Sequence, residues 1–293
     1  MEDREPTIRS RALGEGLREA MNSAGYNASE MARQLDWSHS KVSRLLAGTR
    51  GGSSNDVSAW LATCRVIGPE RVRLMKLCTD QNRPGLLQTH GSRLPLQLRE
   101  LMDYENKSSA IGEYEASMVS GLLQTGDYAR AVISRNVNVP AEEVDDRVYA
   151  RLARQGLLSK PQPPRLTFFL HEPVLKTPVG SLATMSDQLH HLLRLSVRRN
   201  LTLRVVPTAM GAHAAMTGSF RLMDVSNFKK IVYLESETSS LFLEKPIEIG
   251  AYANILAALD RSALPEGQSK ELIASIATEL YADREDHDEH DRA

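Results

Sequence analysis

The stretch Asp36-Trp37-Ser38-His39-Ser40-Lys41-Val42-Ser43-Arg44-Leu45-Leu46-Ala47-Gly48 decides the reading of this chain. Ser38 is a residue type that caps helix N-termini, and Gly48 is a type that stops helices. Between them Val42, Leu45 and Leu46 fall at helical spacing and make one apolar face. The outward side holds His39, Ser40, Lys41, Ser43 and Arg44, an unusual concentration of hydrogen-bond donors. Charged residues on an isolated helix are ordinarily its solvated side, so the meaning of this face rests on what flanks it.

Asn27 caps a short preceding helix, Ala28 to Leu35, with Met31, Ala32 and Leu35 turned inward and Ala32 small enough for a close crossing. Only about three or four turn residues separate the two helices, a layout in which the second can enter a DNA major groove. In that turn Asp36 is a residue type that tolerates the left-handed conformation better than most. Upstream, Leu13, Leu17, Ala20, Met21 and Ala24 mark a helix from Ile8 to Ala24 that ends at Gly25. Two further helices, Asp56 to Cys64 and Pro69 to Thr79, complete a five-helix domain. Cap, turn, stop and flanking helices agree with one another, and that consistency favours a nucleic-acid-binding face. Arg44 has the fork that pairs with guanine, and Ser and His reach base edges or phosphates.

Ser29-Glu30-Met31-Ala32, the run Trp37-Ser38-His39-Ser40-Lys41-Val42-Ser43-Arg44, Gly48 and Asp56-Val57 resemble the helix-turn-helix of the XRE family, in the subgroup found among actinobacterial regulators. The resemblance implies that His39, Ser40 and Arg44 face bases with Ser38 beside them. It places Lys41, Ser43, Thr49 and Arg50 at phosphates. Asp36 stands at the family's usual turn Gly, Ala28 at a frequent Gln and Leu46 at a common Glu.

With 293 residues, 41% hydrophobic and 25% charged, the chain has the length for a small and a larger domain and the composition of a globular protein. No stretch approaches a membrane span, and Met1-Glu2-Asp3-Arg4-Glu5 lacks the features of a signal peptide, so the expectation is a cytoplasmic protein with no membrane partner. Cys64 and Cys78, the only cysteines, have neither a disulfide framework nor zinc spacing and are read as small buried hydrophobes. Residues 1–83 carry 13 Lys/Arg against 10 Asp/Glu, while residues 283–293 carry 2 against 6. A mildly basic front is compatible with a phosphate-backbone partner.

Asn82-Arg83-Pro84-Gly85 breaks the helical pattern and places a domain boundary after residue 83. Helices are expected at Leu94 to Asn106, Tyr128 to Arg135, Pro140 to Leu158, Ser186 to Val197, Ile247 to Asp260 and Ser269 to Tyr281. Strands are expected at Leu166 to Leu170, Leu201 to Val206, Ser219 to Met223 and Ile231 to Glu235. The fold class is therefore mainly α, with a five-helix helix-turn-helix domain (1–83), a larger α+β domain with a small sheet (84–282) and an acidic, disordered tail (283–293). Tyr114-Glu115, Gly121-Leu122-Leu123-Gln124-Thr125, Tyr128-Ala129-Arg130, Arg151-Leu152-Ala153-Arg154-Gln155, Gln188-Leu189 and Gly211-Ala212-His213 resemble the C-terminal domain of WhiJ-like actinobacterial regulators. That resemblance implies regulation of development or secondary metabolism and, often, a small protein partner encoded nearby.

For chemistry, strand ends gather Glu172, Gln188, His213 and Glu235 as a candidate regulatory pocket. Unrelated surface placement of the four is the competing reading. Arg151 lies beside both Arg154 and Gln155 on one helix. The loop from Gly211 to Gly218 lacks the ending of a nucleotide-triphosphate loop, and His287-Asp288-Glu289-His290 lies in the acidic tail. With no catalytic motif, the expectation is no enzyme, no catalytic residue, no metal and no cofactor. The expected protein is a sequence-specific transcriptional regulator that binds double-stranded DNA as a homodimer, its second domain receiving a small partner protein or ligand. A protein-interaction module or small-molecule sensor, with DNA binding secondary, is the alternative.

Overall fold

The computed structural model describes residues 8–49, 52–80, 86–89, 95–226, 229–237 and 239–290. The chain separates into two compact units, one of residues 1–88 with 241–246 and one of 89–240 with 247–293.

The first unit contains α1 (Ile8–Ser23), α2 (Ala28–Gln34), α3 (His39–Ala47), α4 (Ser54–Thr63) and α5 (Gly68–Asp80). Its core is Leu13, Leu17, Met21, Met31, Ala32, Val42, Leu45, Val57, Trp60, Leu61 and Leu74. Leu13, Leu17, Met21, Met31, Ala32, Val42 and Leu45 are inward residues expected of the first three helices, whereas Ala20 and Leu35 are half-buried and Ala24 is exposed. Trp60 is completely buried and its indole N–H donates to the Leu17 carbonyl at 3.0 Å, so its one polar atom is satisfied. A Cβ on Gly14 would lie 2.5 Å from the Leu46 carbonyl oxygen, which shows how closely α1 crosses the end of α3. Cys64 and Cys78 are free and buried, and burial pushes the Cys64 thiol up to about 11.

A short strand β1 (Leu86–Thr89) precedes α6 (Pro95–Lys107) and β2 (Ser108–Glu115). Next come α7 (Gly126–Arg135), a 3₁₀ turn over Ala141–Glu143, α8 (Val144–Ala153) and a second 3₁₀ segment, Arg154–Ser159. The single helix expected from Pro140 to Leu158 is thus three consecutive pieces. The remaining elements are β3 (Arg165–His171), α9 (Glu172–Lys176), α10 (Leu182–Leu195), β4 (Leu201–Val206), β5 (Phe220–Val225), β6 (Lys230–Glu235), β7 (Ser239–Leu243), α11 (Pro246–Ser262) and α12 (Glu266–His290). Because α12 continues to His290, residues 283–290 prolong a helix where acidic composition suggested a disordered tail.

Six strands run in the order β7-β6-β5-β2-β3-β4. β2 pairs parallel with β3, and β3 with β4, whereas β5 joins β2 and β6 antiparallel, making the sheet mixed. One row across β2, β5 and β6 is Ile111, Met223 and Ile231; the next is Glu113, Arg221 and Tyr233. Alternation puts both rows on the same face. On the other face Gly112 is required by packing, since a Cβ there would lie 2.6 Å from Leu256 of α11. Arg204 of β4 donates to the carbonyls of Asp260, Ala263 and Leu264 at 2.7, 2.6 and 2.9 Å. Its cation thereby satisfies the C-terminal end of α11.

Candidate functional site

The expected recognition helix is α3, and its start is set by chemistry local to the sequence. Ser38 is extended, and its hydroxyl accepts from the Lys41 N–H at 3.2 Å. Gly48 closes the helix in the left-handed conformation at φ 71°, where its N–H donates to the Leu45 carbonyl. A Cβ there would also meet the Ser10 carbonyl oxygen at 2.8 Å. Asn27 and Glu30 form a reciprocal capping box on α2. Between the helices Asp36 has φ 53°, the left-handed residue that the turn demands.

Val42, Leu45 and Leu46 are buried, so the other side of α3 faces outward. His39, Ser40 and Ser43 are exposed, and Ser38 is exposed with its oxygen engaged as the cap. Arg44 is half-buried; its Nε is enclosed without a hydrogen bond, and no described carboxylate forms an ion pair with it. Lys41, expected at a phosphate, is engaged within the unit. Its Nζ lies 2.6 Å from Asp56 Oδ1 and 3.8 Å from the Trp37 ring centre. Burial works to raise the Asp56 pKa, but bonds from Lys41 and Ser53 hold it below its ordinary value. Thr49 donates to the Arg44 carbonyl at 3.4 Å, so its hydroxyl serves the helix end. Arg50 lies outside the described residues.

The four residues expected to form a pocket in the second unit have separate jobs. Glu172 accepts from the Thr208 N–H at 2.8 Å and pairs with Lys176 at 2.6 Å; these bonds lower its pKa. Gln188 is fully buried, accepts from the Thr125 N–H and donates to the Leu123 carbonyl, both at 2.7 Å, pinning the 121–125 segment. His213 accepts the Ala215 N–H at Nδ1, so its proton sits on Nε2, 3.3 Å from the Tyr114 hydroxyl. Burial and then the neighbouring His171 lower the His213 pKa. Of the four, Glu235 alone borders a cavity described below. Gln188 is consumed by otherwise unpaired loop backbone, which sequence spacing does not reveal.

The cavity, about 420 Å³, is walled by Glu113, Glu115, Arg151, Arg154, Arg221 and Tyr233 among others. Arg221 grips Glu113 through two bonds, Nε to Oε2 at 2.6 Å and Nη2 to Oε1 at 2.8 Å, and its Nη1 donates to Glu105. Arg154 holds the same Glu105 through bonds of 3.0 and 2.7 Å. Burial raises the Glu113 pKa, yet the Arg221 charge and bonds keep it below the ordinary value. Glu115 goes the other way: burial first, then the Glu113 charge, holds it well above. Sequence reasoning missed Glu105, Glu113 and Arg221, which are 116 and 108 residues apart as pairs; the only local signal was Glu113 and Glu115 alternating on one strand face.

The first unit is therefore a helix-turn-helix module, and residues 12–74 match the model of the helix-turn-helix domain. Residues 98–275 match the family described as Domain of unknown function (DUF5753), and the chain belongs to that family. Comparison with curated proteins and with solved structures returns no match. The helix-turn-helix domain points to DNA as a partner. Among the described residues no helix is long and apolar enough to cross a membrane.

Proposed function

We propose that this protein is a sequence-specific transcriptional regulator that reads DNA as a homodimer, with α3 in the major groove. The observation that carries the reading is the outward face of α3: His39, Ser40 and Ser43 exposed beside an Arg44 with no carboxylate partner among the described residues, on a helix capped and buried on its other side. Base reading belongs to Ser38, His39, Ser40 and Arg44, with Arg44 suited to guanine O6 and N7. Backbone holding belongs to Ser43, Thr49, Arg50 and Lys41, the last sharing its charge with Asp56. A single small module makes few base contacts, so two half-sites about 34 Å apart supply the affinity.

The second unit receives the regulatory signal, from a small protein or a ligand, and the chain works by binding in the cytoplasm, without catalysis or cofactor. The motifs of both units favour the actinobacterial XRE type with a WhiJ-like C-terminal domain. Repeated selection of duplexes from a random pool by the full-length protein tests the reading. It should enrich a two-fold symmetric pair of half-sites about one helical turn apart; a pool that stays random after several rounds contradicts it.

A further inference from the structure

Among the described residues, the direct ion pairs around the cavity in the second unit leave one guanidinium out. Glu105 and Glu113 are matched by Arg154 and Arg221 in direct ion pairs. Burial, then the Glu113 charge, holds Glu115 well above its ordinary value, which disfavours its charged form. Arg147, also on the wall, is paired with Glu143 at 2.7 Å. Arg151 is the cation left over: its hydrogen bond is to the neutral amide oxygen of Gln124, at 3.0 Å, and no described carboxylate is within ion-pair distance. Burial, then the adjoining Arg154 charge, lowers the Arg151 pKa, more than the Glu235 and Glu115 charges raise it.

Arg151 is nevertheless held in place. Gln124 is oriented by donating from Nε2 to the Val119 carbonyl at 2.7 Å, and Gln155 donates to the Gln124 carbonyl at 2.7 Å. A Cβ on Gly121 would lie 3.6 Å from the Arg151 stem, so that stem packs flush against the 121–125 segment. Met118, Val132, Ile133 and Val139 supply an apolar side to the same cavity. Its volume falls in the range of small-molecule sites, about 300–1,000 Å³. At the rim Glu235 and Glu237 are exposed, and they disfavour a ligand with more than one negative charge.

We infer that this cavity binds a small organic monocarboxylate, its carboxylate bonded to Arg151 and its apolar body against Met118, Val132, Ile133 and Val139. The planar guanidinium fits a carboxylate fork, and desolvation makes that charge-assisted pair strong. That the bound acid serves as the regulatory signal rests on the function proposed above; the binding itself does not.

Isothermal titration of the full-length protein with hexanoate, hexanol, hexylamine and hexyl phosphate tests the site. Hexanoate should bind measurably in the millimolar range or tighter, with the alcohol and the amine at least about ten-fold weaker, the scale set by one charge-assisted hydrogen bond. Arg151→Gln should lose that preference, and Val132→Trp, which fills the cavity from a half-exposed wall position, should abolish hexanoate binding without unfolding the protein. Equal binding of hexanoate and hexanol, tighter binding of hexyl phosphate, or full hexanoate affinity in Val132→Trp overturns the inference. Should Arg151→Gln not fold, the Val132→Trp result decides. Duplex selection performed without any acid separates the two claims: enriched half-sites with no hexanoate binding would overturn the cavity assignment alone.

Discussion

Replacing Arg221 by Met tests whether the second unit is organised around a buried ionic cluster. Arg221, Glu113 and Glu105 are nearly sealed, their side chains 7%, 2% and 2% exposed, and Arg221 makes three hydrogen bonds to the two carboxylates. In Arg221→Met, Glu105 keeps Arg154 whereas Glu113 keeps no cation. Removing one member of a buried pair costs about 3–5 kcal/mol because the other charge stays desolvated. The deficit should depend on pH with a definite sign. Without the guanidinium, Glu113 rises above its unfolded value in the folded variant, so the variant's stability falls as pH increases through that window, by up to about 1.4 kcal/mol per unit for one proton. In the native protein Glu113 is depressed and contributes no such fall. Urea unfolding followed by far-UV circular dichroism at pH 5 and pH 8 measures both effects. A loss under about 1 kcal/mol at pH 8, or the same loss at both pH values, would refute the reasoning.

Three further outcomes follow from particular residues. Glu115 stays protonated when folded and ionises when unfolded above its ordinary value, so native stability should decline as pH rises from about 4.5 toward the raised pKa; Glu115→Gln should gain on the native protein between pH 5 and pH 8, and parallel unfolding curves at the two pH values would count against it. Asp36→Gly removes the strain of a left-handed non-glycine residue at φ 53°, and should stabilise the first unit by about 0.5–1 kcal/mol after the greater chain entropy of glycine is subtracted. Both tryptophans, Trp37 and Trp60, lie in this unit, so their fluorescence reads its unfolding; an unchanged or lowered midpoint contradicts the turn assignment. Gly14→Val places side-chain carbon against the Leu46 backbone, and the same fluorescence should show a loss of about 2 kcal/mol or more, in the range for overpacked contacts, whereas an unaltered midpoint would mean that α1 and α3 do not need their close crossing.

The first unit was legible because its signals are local. Caps at Asn27 and Ser38, stops at Gly25 and Gly48, and apolar spacing along each helix need no partner from elsewhere in the chain. Even the left-handed Asp36 followed from residue type and position. The second unit was legible in part: β4 was located to the residue and β3, β5 and β6 nearly so, since Val, Leu and Phe dominate them. β2, at the middle of the sheet, was missed. Its Ser108-Ser109-Ala110-Ile111-Gly112-Glu113-Tyr114-Glu115 has weak strand propensity; it is stable there because Arg221 neutralises Glu113 and Leu256 fills the space over Gly112. Those partners lie more than a hundred residues away, beyond the reach of any local pattern. The same distance hid the cavity; of the four polar residues proposed, Glu172, Gln188 and His213 bond to backbone groups of nearby loops, and Glu235 lines the cavity. Lys41 shows a milder version: its type and place on α3 suggested a phosphate contact, and no local pattern announced that Asp56 on the next helix holds it.

The central claim is that the outward face of α3 reads base sequence, and titration of Arg44→Ala and Lys41→Ala against a selected duplex and a random one measures it most directly. Arg44→Ala should weaken the selected duplex by about 1–3 kcal/mol while barely changing the random one, and Lys41→Ala should weaken both alike with a flatter salt dependence. Equal loss on both duplexes for Arg44→Ala would contradict the claim.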